Sequence, residues 1–164
     1  MVEEKSGGYV VNVKDAGWTE SDAFGRVVRF EQGEPFSDIG IHLFLLEPGK
    51  PNCRYHRENA QENFLVLSGR CKLLMNGEER ALQAWDFVHC PPGVTHVLVG
   101  DPKESCSVLA IGHRKGDAHE LFYPKSELAA GYGAEAPEPT DQPQVAYSDI
   151  SPRRAIDPQE WPTT

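Results

Sequence analysis

The chain has 164 residues, with 25 Asp or Glu against 16 Lys or Arg, a net charge of −9 and 39% apolar residues. A chain of this length can bury one domain-sized core without disulfide staples. The acidic balance argues against nucleic acid and anionic membrane surfaces as partners, because both call for basic patches.

The opening MVEEKSGGYV lacks the basic-then-apolar layout of a signal peptide. No apolar run approaches the roughly 20 residues of a membrane-spanning helix. The expectation is a cytoplasmic protein. Its four cysteines, Cys53, Cys71, Cys90 and Cys106, form no C-x-x-C pair. In a reducing compartment they read as free, small buried residues rather than metal ligands, with Cys53 and Cys90 nearest the chemistry discussed below.

In chain order, residues 1–8 are charged and Gly-rich and are expected to fray. GYVVNV reads as a short strand and FGRVVRFE as a second, with a turn near Gly17 between them. Such early strands often pair with another chain. IGIHLFLLEPG is apolar on both strand faces, as in a packed barrel, and stops at Pro48-Gly49. His42, its one polar side chain, reads as a hydrogen-bonded core residue rather than a pocket liner. PNCRYHRE and QENFLVLSG follow, joined near Asn59. RCKLLMNGEERAL is a hairpin around Asn76-Gly77, the type I′ dipeptide. AWDFVHCPPG, THVLVG and SCSVLAIGH complete a series of short strands separated by Gly, Pro and Asn turns, the pattern of an all-β sandwich or barrel.

After Gly116 the composition changes. A short helix is expected around Ser126 to Ala130, between a preceding Pro and a stopping Gly. The rest is acidic and Pro-rich. Val145, Tyr147, Ile150, Ile156 and Trp161 suggest that it docks, on a neighbouring subunit for instance. The expected division is 1–37 as N-terminal strands, 38–115 as the barrel core and 116–164 as helix and arm. No internal repeat is evident.

Chemistry concentrates at His56, Glu58, Glu62 and His96. Imidazoles and carboxylates are ligands for divalent metals. His56 and Glu58, two apart on a strand, share a face. Glu62 and His96 each open an apolar run, and a charge facing a barrel core is costly unless paired or metal-bound. Tyr55, Gln61 and His89 flank these residues in sequence and are the candidates for supporting contacts, although strand alternation would turn Tyr55 and Gln61 away from the site. Phe44, Phe64, Trp85 and Phe87 read as core before pocket wall. Neither a Ser-His-Asp set nor a Gly-rich phosphate loop is present. The pair Arg153-Arg154 is too short to carry a reading.

The stretch resembles the two motifs of the cupin superfamily, G-x5-H-x-H-x3/4-E-x6-G and G-x5-P-x-G-x2-H-x3-N. His56, Glu62 and Gly69 match the first; Pro91, Gly93 and His96 match the second. Four positions depart: Gly49 stands one residue too far from His56, Glu58 replaces the second His, Trp85 the first Gly of the second motif, and Gly100 its closing Asn. The resemblance implies a jelly-roll barrel binding one divalent metal, with iron, manganese or zinc first and nickel or copper as further candidates. His56, Glu62 and His96 would be ligands. Glu58 would be a fourth ligand, as its family position suggests, or would stand off the metal as a base beside a 2-His-1-carboxylate face. The implied function is oxygenase- or isomerase-type chemistry on a small polar substrate. The alternative is a non-catalytic small-molecule-binding module. A homodimer is expected by the same analogy.

Overall fold

A computed structural model describes residues 8–160. Among them, strands dominate: β1 (Gly17–Ser21), β2 (Gly25–Arg29), β3 (Ile39–Leu46), β4 (Arg57–Glu58), β5 (Glu62–Ser68), β6 (Arg70–Met75), β7 (Glu78–Gln83), β8 (Phe87–Cys90), β9 (His96–Gly100), β10 (Cys106–His113), β11 (Leu121–Phe122) and β12 (Arg154–Ile156). They pair antiparallel in a seven-stranded sheet ordered β12-β1-β2-β3-β10-β5-β8, a three-stranded sheet β7-β6-β9 and a small β11-β4 pair. Leu46, Phe64, Val66 and Val108 from the large sheet meet Leu73 and Leu98 from the smaller one in the main core. The protein is an all-β jelly-roll barrel, as the regular short strands imply.

β3 shows why its sequence is apolar throughout. Phe44 and Leu46 face the main core, whereas Leu43 and Leu45 pack on the other side with Trp18 and Val28. Trp18, Val28 and Leu43 lie opposite one another across β1, β2 and β3, one row of cross-strand packing. Val11 and Val13 cover this row, and Trp18 Nε1 donates to Val13 O at 2.7 Å. The expected strand over GYVVNV is therefore not formed. Residues 8–12 are irregular and Val13–Asp15 make a 3-10 turn, started by Asn12 Oδ1 accepting from Lys14 N. The strand is instead β1, at the place read as a turn. β1 and β2 pair within the chain's own sheet, β1 with β12 and β2 with β3.

Backbone geometry bears on two of the motif departures, and accounts for the one at Gly100. Trp85 has φ 74°, the left-handed region that glycine enters at no cost. Its indole stands largely in solvent (73% exposed), so the strain is local to the backbone. At Gly100, a Cβ would lie 2.2 Å from Glu47 O, so a strand passing this close accepts no side chain. The β6–β7 hairpin has φ 50° at Asn76 and 82° at Gly77, the signs a type I′ turn requires.

The C-terminal region wraps the chain's own barrel. α1 (Glu127–Ala130) starts where Ser126 Oγ accepts from Ala129 N at 3.2 Å. α2 (Pro143–Ala146), which the Pro-rich composition concealed, begins on a proline whose missing N–H costs nothing at that position. β12 then extends the large sheet beyond β1. Arg154, on β12, pairs with Glu20 and Asp22, and Arg153 donates to Gly25 O at 2.9 Å, so this dipeptide fastens the arm. Residues 1–7 and the docking expected of Trp161 lie outside the described residues.

Arg54 is the main clasp. Its buried guanidinium donates to Ala146 O (3.1 Å), Gly133 O (3.2 Å) and Glu135 O (2.6 Å), and pairs with Asp149. It also lies 5.5 Å over the Phe24 ring. Arg54→Met would leave those carbonyls unpaired, so stability in urea is expected to fall by about 3 kcal/mol. Amide exchange should quicken first in α2. Unchanged stability would mean that water replaces the guanidinium without loss.

Candidate metal centre

His56, Glu62 and His96 come together because three strand ends do. His56 and His96 form an isolated antiparallel bridge, His96 N donating to His56 O at 2.8 Å, which sets their rings side by side with centroids 5.0 Å apart. Glu62 opens β5, between Gly112 of β10 and Cys90 of β8. Its Oε2 lies 2.7 Å from His96 Nε2 and 3.7 Å from His56 Nε2. One donor atom from each residue lies within 4.8 Å of the others.

The other ring nitrogens fix the tautomers. His56 Nδ1 sits 2.8 Å from Arg54 O, and His96 Nδ1 2.9 Å from Val94 O. A carbonyl oxygen only accepts, so each Nδ1 carries the proton and donates. Each Nε2 is thereby aimed at Glu62, and this backing of the far ring nitrogen is typical of metal-binding histidines. Two imidazole nitrogens and one carboxylate oxygen suit a borderline divalent cation, so the residues present fit the metal that the sequence motifs imply.

In the cluster without an ion, burial and the mutual interactions of the three groups act in opposite directions. Burial disfavours the Glu62 carboxylate, but hydrogen bonds and charge from His56 and His96 outweigh it and hold its pKa far below the usual carboxylate range. Burial also opposes charge on His96, yet the Cys90 thiol and Glu62 push its pKa up to about 10. His56 is raised as well: Cys53 and Glu62 outweigh its burial.

Glu58 lies outside the three-residue group. β4 pairs with β11, and Asn59 grips the segment before β11, donating to Ala118 O at 2.8 Å and accepting from Glu120 N at 3.0 Å. This brings His119 Nε2 to 2.9 Å from Glu58 Oε2. Burial first, and then the Glu62 charge, raise the Glu58 pKa, with the nearby histidines acting against them. Both Glu58 and His119 line the same cavity as the cluster, about 280 Å³ in volume.

Of the expected supporting residues, none faces the cluster. Tyr55 is buried elsewhere, its hydroxyl accepting from Gly77 N at 3.0 Å; Gln61 is exposed; and His89 bonds Asn63 on the outer face. The contacts come instead from Cys53, whose Sγ is 3.8 Å from His56 Nδ1, and from Tyr123, whose ring lies 5.9 Å from that of His56. Phe44 and Phe64 do wall the cavity, as does His42, read from sequence as core. Trp85 and Phe87 are neither core nor wall but exposed. Among the described residues all four cysteines are free thiols, with Cys71, Cys90 and Cys106 buried and Cys53 partly so. No helix among the described residues is long and apolar enough to cross a membrane.

A jelly-roll barrel with two histidines and a glutamate converging at its mouth defines a class of small barrel proteins built around a polar internal site. Within that class, residues 42–112 match the family model described as a cupin domain. Over that stretch the chain is similar to the cupin superfamily. No curated protein sequence matches it. Among solved structures, it is similar to a candidate sugar phosphate isomerase from Acidithiobacillus ferrooxidans (31% identity, TM-score 0.50), aligning over 57% of this chain and 64% of that one. The chain thus spans somewhat less than two thirds of that relative. A sugar phosphate isomerase of the cupin superfamily from Silicibacter pomeroyi (17% identity, TM-score 0.63) aligns over 73% of this chain and 83% of its own. A polyketide cyclase from Streptomyces resistomycificus (15% identity, TM-score 0.59) aligns over 69% and 84%. At those lower identities the likeness is one of fold.

Proposed function

We propose that the protein is a metal-dependent isomerase-type enzyme for a small polar carbonyl or hydroxyl compound. The observation that carries this reading is the convergence of His56 Nε2, His96 Nε2 and Glu62 Oε2, with both Nδ1 atoms committed to backbone carbonyls. In the proposal these three residues hold one divalent metal. Such an ion, when bound, supplies Lewis-acid polarisation of a substrate oxygen. Three protein ligands leave positions for that oxygen, the arrangement of catalytic rather than structural sites.

The chain's own residues supply the remaining parts. Glu58 faces the same cavity, and its raised pKa places it nearer the range of a working general base. It would take a proton from the hydroxyl-bearing carbon beside the polarised carbonyl and return it to the carbonyl carbon, while the hydroxyl proton passes to the former carbonyl oxygen, so that the reaction is a net shift of two protons within the substrate. His119 orients the accepting carboxylate. Phe44 and Phe64 restrict water on the inner side. The 31% identical relative named for sugar phosphate isomerisation supports this over oxygen chemistry, which the same three ligand types could also serve.

The test is in two parts. Elemental analysis of protein purified without chelators should give near-stoichiometric divalent metal. The metal-loaded protein should then exchange the α-hydrogens of small hydroxy-aldehydes or hydroxy-ketones for deuterium in D₂O, followed by proton NMR. Metal without exchange on any such compound would leave a ligand-holding module, and absence of metal after reconstitution would remove the reading altogether.

A further inference from the structure

The cavity at the His56–Glu62–His96 cluster adjoins a second one. A chamber of about 310 Å³ shares His42, Phe44, Asn52 and Cys53 with the first, so the two lie side by side about these residues. Its far wall carries Arg29 and Arg153, and no Asp or Glu lines it, although the chain as a whole has a net charge of −9. The adjoining chambers therefore differ in charge: Glu58 and Glu62 stand in one and two guanidiniums in the other.

The placement of both arginines is built into the fold. β2 pairs with β3 so that Arg29 lies opposite His42 and Val27 opposite Phe44, which puts Arg29 on the cavity-facing side of its strand. Arg153 arrives from the C-terminal arm just before β12, donating to Gly25 O at 2.9 Å and to Asn52 O at 3.5 Å. These bonds engage two of the five N–H groups of a guanidinium. Among the described residues neither arginine has a carboxylate within ion-pairing distance, whereas Arg26, Arg54, Arg114 and Arg154 each have at least one. Burial and the charge of Arg29 both press the Arg153 pKa down, against opposing contributions from Cys53 and Tyr147. Two neighbouring cations without counter-charge, one of them partly buried, are an unfavourable arrangement that an oxyanion would relieve through charge-assisted, two-pronged hydrogen bonds.

We infer that the Arg29–Arg153 chamber is an oxyanion subsite, holding the phosphate or carboxylate end of a small ligand whose other end reaches His56, Glu62 and His96. This inference rests on the proposed function for the far end of the ligand only; the anion subsite itself requires no metal. It narrows the substrate class to anionic hydroxy- or oxo-compounds, and it gives the C-terminal arm a part in binding, since Arg153 comes from it.

Calorimetric titration of the chelator-treated full chain with inorganic phosphate and, separately, with acetate tests the subsite. Saturable one-site binding of at least one of the two is expected, weakened at least about tenfold in Arg29→Gln, a change at an exposed position that holds no other group. Preference for phosphate assigns a phosphate monoester, and preference for acetate a carboxylate. Absence of saturable binding by either probe overturns the inference, as does Arg29→Gln binding as tightly as the wild type, which would leave a solvated surface arginine. Because the protein is metal-free throughout, anion binding in a protein that never takes up metal would uphold the subsite while the metal reading fails. Metal uptake without anion binding would do the reverse.

Discussion

Metal content in His96→Ala is expected to fall from near-stoichiometric to below about a tenth under the same purification, with affinity lost by more than the roughly 10–100-fold typical of removing a residue behind a ligand. The size follows from position. His96 is almost fully buried, its Nε2 is the closest ligand atom to Glu62, and its Nδ1 is fixed by Val94 O. Alanine removes one of three donor atoms, and Glu58, the next carboxylate in the cavity, is paired with His119. The fold should persist, because the backbone bridge between His56 and His96 does not use the ring. Far-UV circular dichroism separates metal loss from unfolding, and His56→Ala provides a second, independent removal of a ligand. Full occupancy in folded His96→Ala would show that the metal sits elsewhere.

The cluster was legible in the sequence because its information is local. Glu62 and His96 each open a strand with an apolar run, His56 stands just before β4, and fixed spacings tie them to Gly69, Pro91 and Gly93. The barrel was legible for a similar reason, since turns such as Asn76-Gly77 demand their residues by backbone geometry alone. What lay hidden depends on contacts between distant segments. His119 reaches Glu58 only through the β4–β11 pair, which is two residues long and carries no periodicity. Arg54 sits within the first motif region yet acts on residues 79 to 95 positions later. The GYVVNV stretch misled because Val11 and Val13 cover the outside of the sheet instead of joining it, while Val10 stands in solvent. α2 and β12 were obscured by proline and acidic residues that read as linker, although Val145, Tyr147 and Ile150 signalled docking. Their partner proved to be the chain's own barrel.

Glu58→Gln distinguishes the two roles that the sequence left open for this residue. The amide preserves size and can still bond His119, but it cannot take up a proton. With Glu58 as the general base, the rate of deuterium exchange at the substrate carbon should fall by about 10²–10⁴-fold, the usual worth of such a group, with metal content unchanged. With Glu58 as a fourth ligand, metal content should fall together with the rate. The geometry favours the first result: the Glu58 carboxylate is bonded to His119, stands outside the group formed by His56, Glu62 and His96, and is buried enough to raise its pKa. His119→Gln then reports on positioning. If His119 only orients the carboxylate, its replacement should shift the lower limb of the pH–rate profile while the metal stays bound. An unchanged rate in Glu58→Gln would reduce the Glu58–His119 pair to an ion pair closing the cavity mouth, and the proton shift would need another base from among the residues that line it.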